Sequence, residues 1–372
     1  MKKIKVLFIG MTNNLGGVEV FGRNLIMNSD HNKMQFTIMV GDNVTTPFQD
    51  ELIAQGVNIV RFGFRKDGYR KCLEDIKKIY KENDYDIIHI NLMTYSPFEL
   101  IKYACKYSRG IVVVHSHNTG YRNKYYKARL MHFVGKKMLK GYCFEKIACG
   151  VEAGRYLFGN DDFKVLYNGV DFDKFRFSKK NRDTIRAELG IEGNCLVLGD
   201  VASFLPQKNQ EFLIKVFSEL KKKKKNSKLV LVGTGKNLTK CKRLASRLGL
   251  ADDILFLGRR NDIEKIYSAL DVYVMPSISE GLSIAICEAQ VNGLPCITSC
   301  GVSRESNISG NVKFLGFHST REWVDEIMAS SVRRDRCNLV PEKYNIYASM
   351  EGFYKYYSSL IRDRGRNDEK EK

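Results

Sequence analysis

The sequence predicts an α/β protein made of two doubly wound domains in tandem, on three observations. Its 372 residues suit two cores of roughly 150–200 residues each. Short β-branched runs alternate with amphipathic stretches from end to end. The runs are continuously apolar rather than alternating, as in parallel strands covered on both faces. A 44% hydrophobic content with only 6 Pro excludes disordered and fibrous classes. No window approaches the roughly 18–20 uninterrupted apolar residues of a spanning helix.

In order along the chain, the first strand is expected over 3–10. Its basic start, Met1-Lys2-Lys3, resembles a signal peptide. The apolar stretch is too short, however, and lacks a small-residue cleavage site, so a buried strand and a cytoplasmic location are expected. Further strands follow at 36–41, 57–61, 86–90, 111–115, 146–150 and 165–167, with helices at 18–28, 69–83, 97–107 and 121–139. The second half repeats the grammar, with strands at 196–202, 229–233, 254–258, 272–275 and 296–299. Its helices fall at 210–223, 238–248, 262–269 and 283–291. The seam is expected near Asn168-Gly169-Val170-Asp171 and the polar stretch Ser178-Lys179-Lys180-Asn181-Arg182-Asp183. Domains are expected over 1–175 and 176–343, then a helix over 344–362 and a charged, frayed tail over 363–372. That helix carries Ile346, Tyr347, Met350, Phe353, Tyr354, Tyr357, Leu360 and Ile361 on one broad face, which needs a partner surface.

Charge gives the first functional clue. Lysine and arginine number 61 against 42 acidic residues, for a net charge of +19. Counting through Phe175 gives 27 basic and 18 acidic residues, leaving 34 and 24, so the halves carry +9 and +10. A field this evenly spread favours a polyanionic partner: nucleic acid, an anionic membrane or a phosphorylated substrate. The 10 cysteines form no Cys-x-x-Cys pair and are read as reduced core thiols rather than a zinc site.

Open α/β sheets bind ligands at the carboxyl ends of their strands, so polar residues that follow strands are the candidates. After the first strand, Gly16-Gly17 precede a helix and expose amides that suit an anion, or form a plain tight turn. In the second domain Glu280 opens a helix and Glu288 follows eight residues on, roughly 12 Å at 1.5 Å rise per residue. Such a pair suits hydroxyls at both ends of an elongated polyol diphosphate. A capping Glu280 and a solvated Glu288 remain open. Lys208 follows that domain's first strand, where it can neutralise a departing diphosphate or be merely solvated. His115 and His117 close the 111–115 strand and suit a sugar hydroxyl or a proton relay, or a structural role. Asp84-Tyr85-Asp86 and Asp171-Phe172-Asp173 are poor metal candidates, since one opens a strand and the other lies in a turn. Gly233-Thr234-Gly235 lacks the third glycine of a dinucleotide fingerprint, which argues against a dehydrogenase.

In their order and spacing these segments resemble the retaining, GT-B-fold glycosyltransferases of family four, in particular the branch of capsule and exopolysaccharide assembly. The resemblance rests on Gly16-Gly17-Val18-Glu19, Asp86-Ile87-Ile88-His89, His115-Ser116-His117-Asn118 and Tyr167-Asn168-Gly169-Val170-Asp171. It continues through Gln207-Lys208-Asn209, Leu231-Val232-Gly233-Thr234-Gly235 and Phe256-Leu257-Gly258. It is densest from Val201 to Pro295, ending with Asp271–Ser277, Glu280-Gly281 through Glu288-Ala289, and Gly293-Leu294-Pro295.

The resemblance implies two Rossmann-like domains facing a central cleft, with the C-terminal helix crossing back onto the first. It implies that Glu288 holds the nucleotide ribose and Glu280 the donor sugar, with Lys208 on the diphosphate. Backbone amides of Gly281, Leu282 and Ser283 and the Gly16-Gly17 loop would assist Lys208. It places His117 beside the transferred sugar, as a catalytic group with Glu280 and Lys208, and the base near Gly258 and Arg259. The donor expected is a nucleotide sugar with uridine as its base, the acceptor a lipid-linked or oligosaccharide chain, and no metal or other cofactor is needed. Ser203 stands where many members carry an arginine, so either Arg259, Arg260 or Lys236 supplies the missing cation or leaving-group stabilisation is weaker. No carboxylate is placed as a nucleophile, so front-face displacement with retention is expected.

The basic surface fits the same scheme. Arg122, Lys124, Lys127, Arg129, Lys136 and Lys137, interleaved with Tyr121, Tyr125, Tyr126 and Phe133, suit anionic headgroups and a peripheral membrane position. Two rival readings predict other behaviour. A nucleotide-sugar epimerase or hydrolase would form product from donor alone. A polybasic nucleic-acid binder would show steeply salt-dependent binding, but no recognised module supports one.

Overall fold

The computed structural model describes residues 2–63, 68–119, 126–331, 336 and 339–370. The chain divides into two compact units, one of Met1–Gly169 with Ile346–Lys372 and the other of Val170–Asn345.

The first unit alternates β1 (Ile4–Ile9), α1 (Gly17–Met27), β2 (Met34–Gly41), α2 (Gln49–Ala54), β3 (Asn58–Phe62) and α3 (Tyr69–Glu82). It continues with β4 (Ile87–Leu92), α4 (Phe98–Tyr107), β5 (Ile111–Ser116), α5 (Tyr126–Met138), β6 (Glu145–Ala148), α6 (Val151–Phe158) and β7 (Lys164–Val165). The strands pair in parallel in the order β3-β2-β1-β4-β5-β6-β7. Because side chains alternate along a strand, β1 sends Val6 and Phe8 into one core and Leu7 and Ile9 into another, one on each face of the sheet. That double burial is why its sequence is continuously apolar.

The second unit opens with α7 (Phe172–Phe175) and α8 (Lys179–Glu188), then β8 (Leu196–Val201), α9 (Gln210–Lys223), β9 (Ser227–Val232), α10 (Leu238–Arg247) and β10 (Ile254–Gly258). It ends with α11 (Ile263–Ala269), β11 (Val272–Met275), α12 (Ile284–Val291), β12 (Cys296–Ser299), β13 (Val312–Leu315) and α13 (Thr320–Ser330). Its parallel sheet runs β10-β9-β8-β11-β12-β13. In each sheet the order reverses between the first and fourth strands of the unit, the switch point at which such sheets bind ligands.

Several expectations are corrected. The second unit begins at Val170, not 176. Asp171 caps α7 by accepting from the Lys174 amide at 2.8 Å, and Phe175 packs edge-on against Tyr267 at 5.9 Å. The polar stretch at 178–183 is no linker but the start of α8, capped by the Ser178 hydroxyl accepting from the Asn181 amide. Arg182 and Arg186 clamp that helix to both carboxylate oxygens of Asp271, at 2.6 and 2.7 Å. The strand β13 and the helix α13, whose Trp323 is fully buried, were not foreseen.

The last element, α14 (Ile346–Lys370), starts two residues later than expected and runs through the supposed tail. Residues 363–370 contain no proline, so nothing breaks the helix at 362. It belongs to the first unit. Ile346, Met350, Phe353, Tyr356 and Tyr357 are buried with Val6 and Phe8, whereas Tyr347 is exposed.

Candidate active site

Two loops leave the switch point of the second sheet. The one after β8 makes a single 3-10 turn over Pro206–Lys208 and enters α9 through Asn209 in a left-handed conformation, φ +56°. The one after β11 runs from Pro276 to Ser283. They are stitched together. The Ile278 amide donates to the Gln207 carbonyl at 2.7 Å, the Gln207 side-chain amide donates to the Ser279 carbonyl at 2.5 Å, and Lys208 Nζ meets Glu280 Oε1 at 2.7 Å. Glu280 is itself held by a parallel bridge to Val302, its amide donating to Gly301 and its carbonyl accepting from Ser303.

This corrects the expected helical spacing of the two carboxylates. The helix begins only at Ile284, so Glu280 sits on an extended segment ahead of it and the 12 Å helical rise does not apply. Nor does Glu280 cap the helix, since its carboxylate is paired with Lys208. Glu288 lies on α12 itself, half-buried. The Tyr267 hydroxyl is 3.1 Å from both Glu288 Oε2 and the Ala285 carbonyl oxygen. The hydroxyl is the donor, and its one proton is shared between these two acceptors. Burial pushes the Glu288 carboxyl up to about 7.

Beneath the Lys208–Glu280 pair lies a carboxylate that the sequence reading did not single out. Asp200, near the carboxyl end of β8, is 1% exposed, and neither of its oxygens has a hydrogen-bond partner among the described residues. Burial pushes it up to about 7, against the pull of Lys208. A polar residue in an otherwise apolar strand, Leu196-Val197-Leu198-Gly199-Asp200-Val201, was the signal available.

The structure sorts the remaining donor-side candidates. The Ser283 amide is taken by the Ser306 hydroxyl at 3.1 Å, a correction to its expected role. The Gly281 and Leu282 amides are without a protein partner among the described residues. Arg260 is locked by Asp262 and Glu188, each at 2.7–2.8 Å, and is not available as the missing cation. Arg259 and Lys236 are exposed, and Gly258 turns the chain ahead of Arg259 with φ +65°.

In the first unit the switch point lies between β1 and β4. Gly10, φ +120°, packs so close to Asn91 that a Cβ would fall 2.8 Å from its carbonyl oxygen. Gly16 is the N-cap of α1, and Gly17 opens the helix. Glu19 ties the loop down by accepting from the Thr12 amide and hydroxyl at 2.9 and 2.7 Å.

Next to it, β4 and β5 carry a polar cluster. Their register pairs Asn91 with His115 and His89 with Val113, so His89, Asn91, His115 and His117 share one face. His115 is fully buried and His117 only half. Burial presses the imidazoles of His89 and His117 down to about 3 and that of His115 well below its ordinary range, so all three rings are neutral at pH 7. The helix α5 exposes Arg129, Lys136 and Lys137 beside exposed Leu130 and Phe133. Arg122, Lys124 and the side chain of Lys127 lie outside the described residues.

These two sheets, each with polar groups gathered at its switch point, match known proteins. The profile described as "Glycosyl transferases group 1" matches residues 181–314. A putative glycosyltransferase EpsF of Bacillus subtilis is 30% identical over 313 residues, which cover 82% of this chain and 80% of that protein. The chain belongs to the group 1 glycosyltransferases. An Escherichia coli enzyme named as a UDP-Gal:α-D-GlcNAc-diphosphoundecaprenol α-1,3-galactosyltransferase is 29% identical over 71% of this glycosyltransferase and 70% of its own length. The crystal structure of Anabaena HepE in complex with UDP and glucose superposes with a TM-score of 0.75 at 18% identity, covering 98% and 99% of the two chains. That likeness establishes the GT-B fold. Among the described residues no helix of the glycosyltransferase is long and apolar enough to cross a membrane.

Proposed function

We propose that this glycosyltransferase moves a monosaccharide from a UDP-sugar to a lipid-linked saccharide in surface-polysaccharide assembly, with retention at the anomeric carbon and without a metal. The observation that carries the reading is the Lys208–Glu280 ion pair at the switch point of the second sheet. It offers a cation for the diphosphate and a carboxylate for sugar hydroxyls from two loops already tied together. A leaving diphosphate gains charge as the glycosidic bond breaks, and a cation held in place where that charge develops lowers the barrier. Glu288, with Tyr267 behind it, suits ribose hydroxyls. The Gly281 and Leu282 amides suit phosphate oxygens, and Arg259 or Lys236 supplies the charge missing at Ser203.

The donor base and the acceptor class are inferred from the relatives' names, the B. subtilis and E. coli proteins above all. The exposed Leu130 and Phe133 among Arg129, Lys136 and Lys137 form an apolar and cationic surface suited to anionic headgroups, where a lipid-borne acceptor would be met.

A thermal-shift panel of nucleoside diphosphates and nucleotide sugars tests the donor. UDP and a UDP-sugar should raise the transition of the wild type and not of Lys208→Ala or Glu288→Gln. Transfer to a diphospholipid-linked saccharide, scored by the anomeric configuration of the product with and without EDTA, tests the rest. An inverted linkage, EDTA-sensitive turnover or product from donor alone overturns the corresponding part. Loss of anionic-liposome binding in Phe133→Ser with Lys137→Glu tests the membrane surface.

A further inference from the structure

The polar cluster beneath His117 fixes the proton on that ring. The Asn91 side-chain nitrogen donates to the Ile9 carbonyl oxygen at 2.8 Å. A carbonyl only accepts, so the amide cannot be turned round, and Oδ1 is the atom that faces the histidines. That oxygen lies 2.8 Å from His117 Nε2 and 3.2 Å from His89 Nε2. An amide oxygen has no proton to give, so His117 Nε2 carries one.

Reversing the His117 tautomer would set its Nε2 lone pair against the Asn91 oxygen at 2.8 Å, where two lone pairs repel. Further in, His89 Nδ1 meets the Tyr357 hydroxyl of α14, and His89 Nε2 lies 3.1 Å from His115 Nδ1.

We propose that Asn91 is a positioning residue that locks His117 in the Nε2–H tautomer, so that His117 meets its ligand through a bare Nδ1 lone pair. The Nδ1 atom has no partner among the described residues, and the ring is half-buried. The group it recognises is therefore a hydrogen-bond donor, a sugar hydroxyl, and not a phosphate oxygen. His117 does not deliver a proton to a leaving group. The assignment rests on the reading that puts His117 beside the transferred sugar.

Two-bond proton–nitrogen correlation spectra of the full chain, labelled with nitrogen-15 in histidine at pH 7, read the tautomers directly. The His117 signals are identified by their loss in His117→Gln. The expected spectrum shows a protonated, pyrrole-type Nε2 and an unprotonated, pyridine-type Nδ1 for His117. A protonated Nδ1, an averaged pair or a charged ring overturns the proposal. In Asn91→Leu the two His117 nitrogen shifts should move toward each other as the tautomers interconvert, and unchanged shifts overturn the role of Asn91. Transfer rates separate this from the reading beneath it. Undiminished transfer by His117→Gln removes His117 from the sugar site, whatever tautomer the spectrum records.

Discussion

The two units of this glycosyltransferase share a sheet order and a switch point, yet they bury opposite kinds of titratable group there. The first gathers neutral bases, His89, His115 and His117, around one amide and one tyrosine hydroxyl. The second gathers acids: Asp200 and Glu288, each pushed up to about 7, and Glu280 paired with Lys208. The topology decides where polar groups collect, because the carboxyl ends of β1 and β4, or of β8 and β11, are where the layers part. The residue types decide what each place binds. A cluster of neutral donors and acceptors suits hydroxyls, whereas a cation held by a carboxylate suits a diphosphate sugar.

The largest test of that contrast is catalytic. Lys208→Ala should lower kcat/KM for transfer by about 10²-fold or more, as expected for a group that meets developing charge. His117→Gln, which alters only a neutral hydrogen bond, should cost about tenfold. Equal losses in a steady-state assay would break the contrast.

The pH dependence of stability should differ in sign. His89, His115 and His117 titrate below their ordinary value near 6.5 because they are buried. Their contribution is therefore present above that pH and lost as pH falls toward 3. Asp200 and Glu288 titrate above the ordinary carboxyl range near 4. Their contribution is present below that range and lost as pH rises through about 7. From pH 5 to 8 the second unit should weaken, by at most about 1.4 kcal/mol per pH unit for each group, less for the solvent-accessible Glu288. The first should strengthen to about pH 6.5 and then level off. Hydrogen exchange of β5 and β8 peptides, corrected for intrinsic rates, reads both slopes, and Asp200→Asn should flatten the second.

Smaller effects sharpen the picture. Tyr357→Phe strips the buried His89 Nδ1 of its partner and should cost about 1–3 kcal/mol in the first unit, seen as a lower denaturant midpoint. Arg260→Ala breaks a partly exposed network with Glu188 and Asp262 and should cost less than about 1 kcal/mol. Because Arg260 is already engaged, the donor KM should not move. A raised KM would return Arg260 to the diphosphate.

Most of the fold was legible because parallel strands buried on both faces leave an unmistakable apolar run. β13 escaped notice since Val312-Lys313-Phe314-Leu315 is an edge strand with only Val312 fully buried. α8 escaped because its charged residues look like a linker until Asp271, 85 positions further on, is seen to clamp Arg186. Lys208, Glu280, Glu288 and His117 stood out by following strands. Asp200, Asn91 and Tyr357 did not, for each is a single polar residue in an apolar element whose partners lie far away in sequence.

The order of residues by itself determined the two sheets, the edge at which each collects polar groups, and the residue types available there, because these follow from local periodicity and strand-to-helix succession. Only the tertiary structure decided that Glu280 leaves the helix to pair with Lys208, that Arg260 is spent on Glu188 and Asp262, and that Tyr357 reaches back 268 positions to His89. Hydrogen bonds and ion pairs act over about 3 Å in space and are indifferent to distance along the chain. Which polar group finds which partner is therefore fixed only once the cores have packed.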